Sequence, residues 1–250
     1  MPAAATSTGV YVYGIVRAEE LPAVSAEGVA AARVELIERD GLAAVVSRLP
    51  EGELRVKRRD LNRHLQVLEE AFAETTIVPC PFGTVLQSEQ DVESALLAAR
   101  HDELTATLKR LDGNVQLNVN AVYEEEQLLR ELVAGNSEIT GLRDASNQLG
   151  DAGYYARLRL GELVATLVDE RRQADAERIL SQLLDVAENV VTDEPGEDGV
   201  LKASFLVSRK RVDRFDARLE ETARMEHPLI RIEVIGPLPP TAFAGALTER

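Results

Sequence analysis

Apolar and polar positions repeat along this chain with two different periods, and each change of period marks an element. Residues 10–16 form an apolar run containing Tyr11 and Tyr13, which predicts a strand covered on both faces. Residues 33–38 alternate, with Val34 and Leu36 on one side, and Asp40-Gly41 separates them from the apolar residues 42–49. Two strand-like runs around an Asp-Gly pair predict a hairpin. Over 59–74 the period lengthens, and Leu61, Leu65, Leu68 and Phe72 fall on one helical face. Residues 76–86, interrupted by Pro79 and Pro81, read as extended or looped. Ser88, with Glu89 and Asp91 in the turn that follows, opens a helix expected to reach about Leu111, with Leu97, Leu104, Leu108 and Leu111 aligned. Asp112-Gly113 ends it. Residues 115–123 then give the cleanest strand: Val115, Leu117, Val119, Ala121 and Tyr123 face one way, and Gln116, Asn118 and Asn120 the other.

The second half is more helical. Residues 124–133 predict a short helix opened by Glu124, Glu125 and Glu126, which suit the positive end of the helix dipole, and Gly135-Asn136 breaks it. Residues 151–191 are helical, as one long helix or as two joined near 173–175, with a stripe of Ala176, Ile179, Leu180, Leu183, Leu184, Ala187, Val190 and Val191. An acidic loop over 193–199 leads to a strand at 200–208, a helix at 211–226 carrying Val212, Phe215 and Leu219 on one face, and a last strand at 229–235. In that strand Ile230, Ile232 and Val234 lie on one face, and Arg231 and Glu233 on the other. Gly236-Pro237-Leu238-Pro239-Pro240 follows; its prolines are expected to stop the ladder and stiffen the exit.

These elements predict an α+β protein of two small domains. The first, residues 1–123, reads as a modified ferredoxin-like domain. The second, 124–250, joins helices to a β-α-β sheet unit and carries a proline-rich tail over 236–250. Phe243 is expected to bring that tail back onto the protein, because a solvent-facing tail would leave its ring wet.

Composition narrows the function. With 28 basic and 43 acidic residues, the formal net charge is −15. Phosphate neutralisation supplies most nucleic-acid affinity, so no nucleic-acid partner is expected; a basic or apolar partner suits the charge. A single cysteine, Cys80, excludes a disulfide within the chain and suits a reducing cytoplasm. No stretch resembles a membrane span, and residues 1–7 do not resemble a signal peptide.

Candidate chemistry is thin. His64, His101 and His227 have no ligand spacing and read as surface or helix-end residues. Cys80 sits between prolines without a visible base, so a small side chain in a structured turn is favoured over a nucleophile. The 193–199 loop lacks the ligand pattern of a calcium loop, and no phosphate-binding glycine motif or nucleophile elbow is present. Arg55, Lys57, Arg58, Arg59 and Arg63 read as a solvated basic face, with a contact for an acidic partner or for the other domain as the alternative. The run Tyr154-Tyr155-Ala156-Arg157-Leu158-Arg159-Leu160-Gly161-Glu162 has no catalytic logic; its aromatics are expected in the core and its arginines beside acids. No cofactor, metal or catalytic residue is expected.

Five stretches, in order, carry a resemblance. They are Tyr11-Val12-Tyr13-Gly14-Ile15-Val16, Leu42-Ala43-Ala44-Val45-Val46-Ser47, Pro81-Phe82-Gly83-Thr84-Val85, the Tyr154 run, and Ile235-Gly236-Pro237-Leu238-Pro239-Pro240-Thr241-Ala242-Phe243. Together they resemble the gas vesicle protein F and L family. The chain departs from that family at Gln116 and Leu117, where a Glu-Trp pair is common, at Cys80, and at Leu238 and Thr241-Ala242 in the last motif. The resemblance implies a non-enzymatic accessory or minor structural protein of gas vesicle assembly. Implied partners are the hydrophobic shell protein and other accessory proteins, and the implied place is the cytoplasm, at the vesicle. Carried over, the interaction or family-motif residues are Phe82, Gly83, Tyr154, Tyr155, Arg157, Arg159, Gly236, Pro237, Pro239, Pro240 and Phe243. The competing reading is a small-molecule-binding regulatory module, since ferredoxin-like folds often bind ligands at sheet edges.

Overall fold

The first strand, β1 (Val10–Arg17), is buried over all but its last residue, as its two-faced apolar run requires. It belongs to a computed structural model that describes residues 9–50, 58–149 and 153–245. Arg55, Lys57 and the leader expectation for residues 1–7 lie outside the described residues. β2 (Val34–Arg39) and β3 (Leu42–Arg48) pair antiparallel around Asp40 and Gly41, whose φ of 51° and 83° give the left-handed turn that matches strand twist.

Helix α1 (Arg58–Glu74) buries Leu68 and Phe72 of its predicted face, but that face is rotated so that Leu61 and Leu65 are left out. Asp60, His64, Val67, Leu68, Ala71 and Phe72 are covered, while Leu61 and Leu65 stand 39% and 43% exposed. The two stripes are neighbours on the helix, and tertiary partners decide between them. Asp60 accepts from the Ala30 N–H at 3.3 Å, and His64 meets the Tyr11 hydroxyl at 3.0 Å. Buried polar groups with such partners are tolerated. His64 is therefore buried, not at the surface as expected.

Short strands β4 (Val78–Pro79) and β5 (Val85–Leu86) both pair with β1, giving the order β2-β3-β1-β4 with β5 beside β1. Ser88 caps the next helix as its sequence predicts: its hydroxyl accepts from the Asp91 N–H at 3.2 Å. The continuous helix expected after it is broken. A single turn, α2 (Glu89–Asp91), passes into a π-helical stretch, Val92–Ala98, and α3 (His101–Leu111) starts afresh after Arg100 at φ −115° and ψ 19°. The interruption keeps Leu97 buried together with Leu104, Leu108 and Leu111. Both α1 and α3 pack on β1.

Strand β6 (Asn114–Tyr123) follows, then α4 (Glu125–Gly135), α5 (Ser137–Leu149) and α6 (Tyr154–Leu184). Helix α5 is a finding. Asn136, read as a breaker, is also its cap: the side-chain oxygen accepts from the N–H of Glu138 and of Ile139. Helix α6 is a single helix. Val190 and Val191, counted in its stripe, belong instead to β7 (Asn189–Asp193), paired antiparallel with β8 (Gly199–Ser208) from Asn189–Leu206 to Asp193–Lys202. The chain closes with α7 (Val212–Glu226) and β9 (Ile230–Leu238), and the second sheet has the order β7-β8-β6-β9. β9 runs past Gly236 and Pro237, where the ladder was expected to stop. It lies at the end of the strand order, where sheets tolerate proline.

The chain is thus an α+β protein of two sheets with helices. Its contacts group into one unit of residues 1–116 with 236–250, and a second of residues 117–235. The tail from Gly236, expected with the second domain, groups with the first unit. The second sheet runs β6, helices, β7, β8, α7, β9, a β-α-β-β-α-β succession. In the first, only a short 3-10 turn, Val29–Ala31, lies between β1 and β2.

Candidate functional site

The special residues fall into two sets, one in each unit. In the first unit, the loop carrying Phe82 and Gly83 is held by a chain of hydrogen bonds. The Gly83 N–H donates to the Tyr11 hydroxyl at 2.9 Å, the hydroxyl meets His64 Nδ1 at 3.0 Å, and the other ring nitrogen donates to the Cys80 carbonyl. Gly83 adopts φ 91°, which favours glycine. His64 also stacks on Tyr13, with ring centroids 5.6 Å apart, and meets Phe82 edge-on at 5.5 Å. Burial pushes the His64 imidazole down to about 4, so the ring is neutral and can accept from the hydroxyl. Burial likewise pushes the Tyr11 phenol up.

Beside this clip lies a mostly apolar groove of about 280 Å³, lined by Leu61, His64, Leu65, Phe82 and Thr241 with residues 79–81. The exposed leucines of α1 therefore have a place: they form one wall. Cys80 is buried at its base, and burial pushes its thiol up to about 12. A protonated, covered thiol is a poor nucleophile.

The tail is part of the same unit. Pro239, Pro240 and Phe243 are buried, and Gly236 and Pro237 are exposed. The Arg110 guanidinium donates to the Phe243 carbonyl at 2.8 Å, and the Ala242 N–H donates to Gln116 Oε1 at 2.9 Å. Gln116, predicted on the polar face of its strand, is buried because it serves this tail. The tail thus packs back onto its unit, as the Phe243 argument expects.

The second unit holds the other set, at the start of α6. Tyr154 and Tyr155 are 59% and 80% exposed and Leu158 is 50% exposed, so the aromatics expected in the core face solvent. The two rings meet edge to face, centroids 5.6 Å apart. Arg157 and Arg159 are exposed on the same turns, and Arg159 reaches Glu138 of α5 at 4.0 Å. Helix α5 packs on α6 but leaves these residues uncovered.

Further along α6, a network missing from the sequence reading joins four elements. Asp175, buried, accepts from the Tyr123 hydroxyl at 2.8 Å and pairs with Arg171 and Arg178. Arg171 continues to Glu131, and Arg178 grips Glu226 through two bonds of 2.8 and 2.6 Å. Burial and the Asp175 carboxylate push the Tyr123 phenol up, and the pairing with Glu226 raises the Arg178 guanidinium. Every partner is matched within the network, which makes it a clamp between β6, α4, α6 and α7. The only hint in sequence was charge at helical spacing, which is common on solvated faces.

Among the described residues, no group of three or more His, Cys, Asp and Glu is placed to hold a metal ion, and no helix is long and apolar enough to cross a membrane. The fold and its surfaces define a two-unit α+β protein whose special residues, among those described, sit in structural clips and on an exposed helix start. The chain belongs to the GvpL/GvpF family: the family model for gas vesicle synthesis protein GvpL/GvpF matches residues 9–245. Gas vesicle protein F of Streptomyces sp. (strain CB03234) is 38% identical over 239 residues, covering 93% of this chain and 98% of the relative. Gas vesicle protein L of the same strain is 30% identical over 266 residues, covering 96% and 94%. In fold, the chain is similar to the crystal structure of GvpF from Anabaena sp. PCC7120, with a TM-score of 0.80 at 22% identity over 95% of this chain and 98% of that one.

Proposed function

We propose that this protein is a non-enzymatic accessory or minor structural protein of gas vesicle assembly, acting in the cytoplasm and at the vesicle. Its partners in this reading are the hydrophobic shell protein and other vesicle proteins. The family match along residues 9–245 carries the proposal. The physical support is local. A shell subunit must have its apolar face shielded before it polymerises, and exposed apolar surface marks interaction sites. The start of α6 offers such a surface: two tyrosines and a leucine flanked by Arg157 and Arg159. Tyrosine supplies large, stiff contact area at small entropic cost, the usual make-up of a binding hot spot.

The test is co-purification with the shell protein. The wild type should retain it, and the double variant Tyr154→Ala/Tyr155→Ala should lose at least about tenfold in affinity, as loss of a hot spot does. Its melting temperature should stay within a few degrees, because both rings are exposed. Normal vesicles in cells lacking this protein and its close paralogues would overturn the reading altogether.

A further inference from the structure

β9 ends the strand order of the second sheet, and its sequence is complementary to itself. The Leu229 carbonyl accepts from the Glu124 N–H at 2.9 Å, on the side of β6. Backbone groups of successive strand residues point alternately to either side. Ile230, Ile232 and Val234 therefore aim their N–H and C=O away from β6, toward the open edge. Side chains along this edge are accessible: Arg231 and Glu233 are 56% and 57% exposed, Val234 42% and Ile235 65%.

We propose that β9 pairs antiparallel with β9 of a second copy of this chain, about a two-fold axis at Ile232. In that register Ile232 meets its own equivalent in a hydrogen-bonded pair. Arg231 of each copy stands opposite Glu233 of the other, and Ile230 opposite Val234. Such isologous, self-matching contacts are the ordinary basis of a two-fold dimer. Within one copy Arg231 already pairs with Glu233 and with Glu124, so the charges are preset on one face of the strand. Pairing joins them into a four-charge cluster across the axis. The same charges select the register. Centring the axis on Arg231 or on Glu233 would place like charges directly opposite, which is destabilising. The ladder is limited by the start of the strand: in this register residue 236 would face Pro228, which precedes β9 and has no N–H to donate. The other edge strand, β7, carries Asp193 with no basic residue of its own to face it, so it lacks this complementarity.

The ladder is short, so the dimer is weak and reversible, with dissociation in the micromolar range. Sedimentation velocity of the full chain over a concentration series tests it. The wild type should move from monomer toward dimer as concentration rises. Glu233→Arg alone and Arg231→Glu alone each place like charges across the axis, and each should raise the dissociation constant at least about tenfold. Mixed together, the two variants match again and should form a heterodimer with near wild-type affinity. All the substitutions are exposed, and circular dichroism checks that each variant is folded. A wild type that stays monomeric at every concentration overturns the proposal. So does a dimer indifferent to both charge reversals, or a mixture that fails to pair. None of these outcomes depends on vesicle proteins, so the result stands apart from the assembly role.

Discussion

His64 shows how one side chain can tie separate elements together. A neutral ring accepts from Tyr11 and donates to Cys80, linking α1, β1 and the Phe82 loop. Its pKa falls from 6.5 to about 4 on folding, so the unfolded chain binds the proton more tightly between those values. The stability this contributes is complete above pH 6.5 and is lost as pH falls toward 4; it amounts to roughly 3 kcal/mol at most. Urea unfolding at pH 7 and at pH 4.5 should show that fall in the wild type. In His64→Phe the step between these pH values should shrink, whatever its overall stability. The burial of His64 was not legible beforehand. A lone histidine carries no local sign of the hydroxyl and carbonyl that will meet it from residues far along the chain.

Among the elements, α6 and the tail carry most of the load that sequence pattern did not assign. Asp175→Ala would leave the Tyr123 hydroxyl without its buried acceptor, while Arg178 keeps Glu226 and Arg171 keeps Glu131. Leaving a buried donor unsatisfied costs about 1–3 kcal/mol, and thermal unfolding should show it. For the tail, Phe243→Ala removes a ring only 3% exposed and should cost about 3 kcal/mol, since large-to-small changes in a packed site leave a cavity. Truncation after Ile235 should likewise lower the melting temperature, because it also removes the bonds to Arg110 and Gln116. An unchanged melting temperature in both variants would mean that this packing of the tail adds no stability.

Across the whole molecule, a net charge of −15 shapes how partners are met. Shielding an apolar shell subunit depends on burial of apolar area, which salt does not screen, whereas a basic partner would be held by charge. In the proposed role, binding of the shell protein should therefore persist, and if anything tighten, when sodium chloride rises from low to high concentration. A steep loss with salt would assign the affinity to charge instead.

Much of this architecture could be read from the chain itself, because it rests on local physics. The β2–β3 hairpin follows from Asp40-Gly41 between alternating runs, the Ser88 cap from a hydroxyl before an acidic turn, and β6 from strict alternation. The family resemblance likewise rested on short motifs that local sequence keeps whole. Tertiary structure alone decided the rest. It chose which stripe of α1 to bury, made Val190 and Val191 a strand by placing β8 beside them, and let β9 continue through Pro237 by leaving it at an edge. It also left Tyr154 and Tyr155 exposed at the start of α6. Periodicity tells which residues share a face; only the arrival of a partner from elsewhere in the chain tells which face is covered.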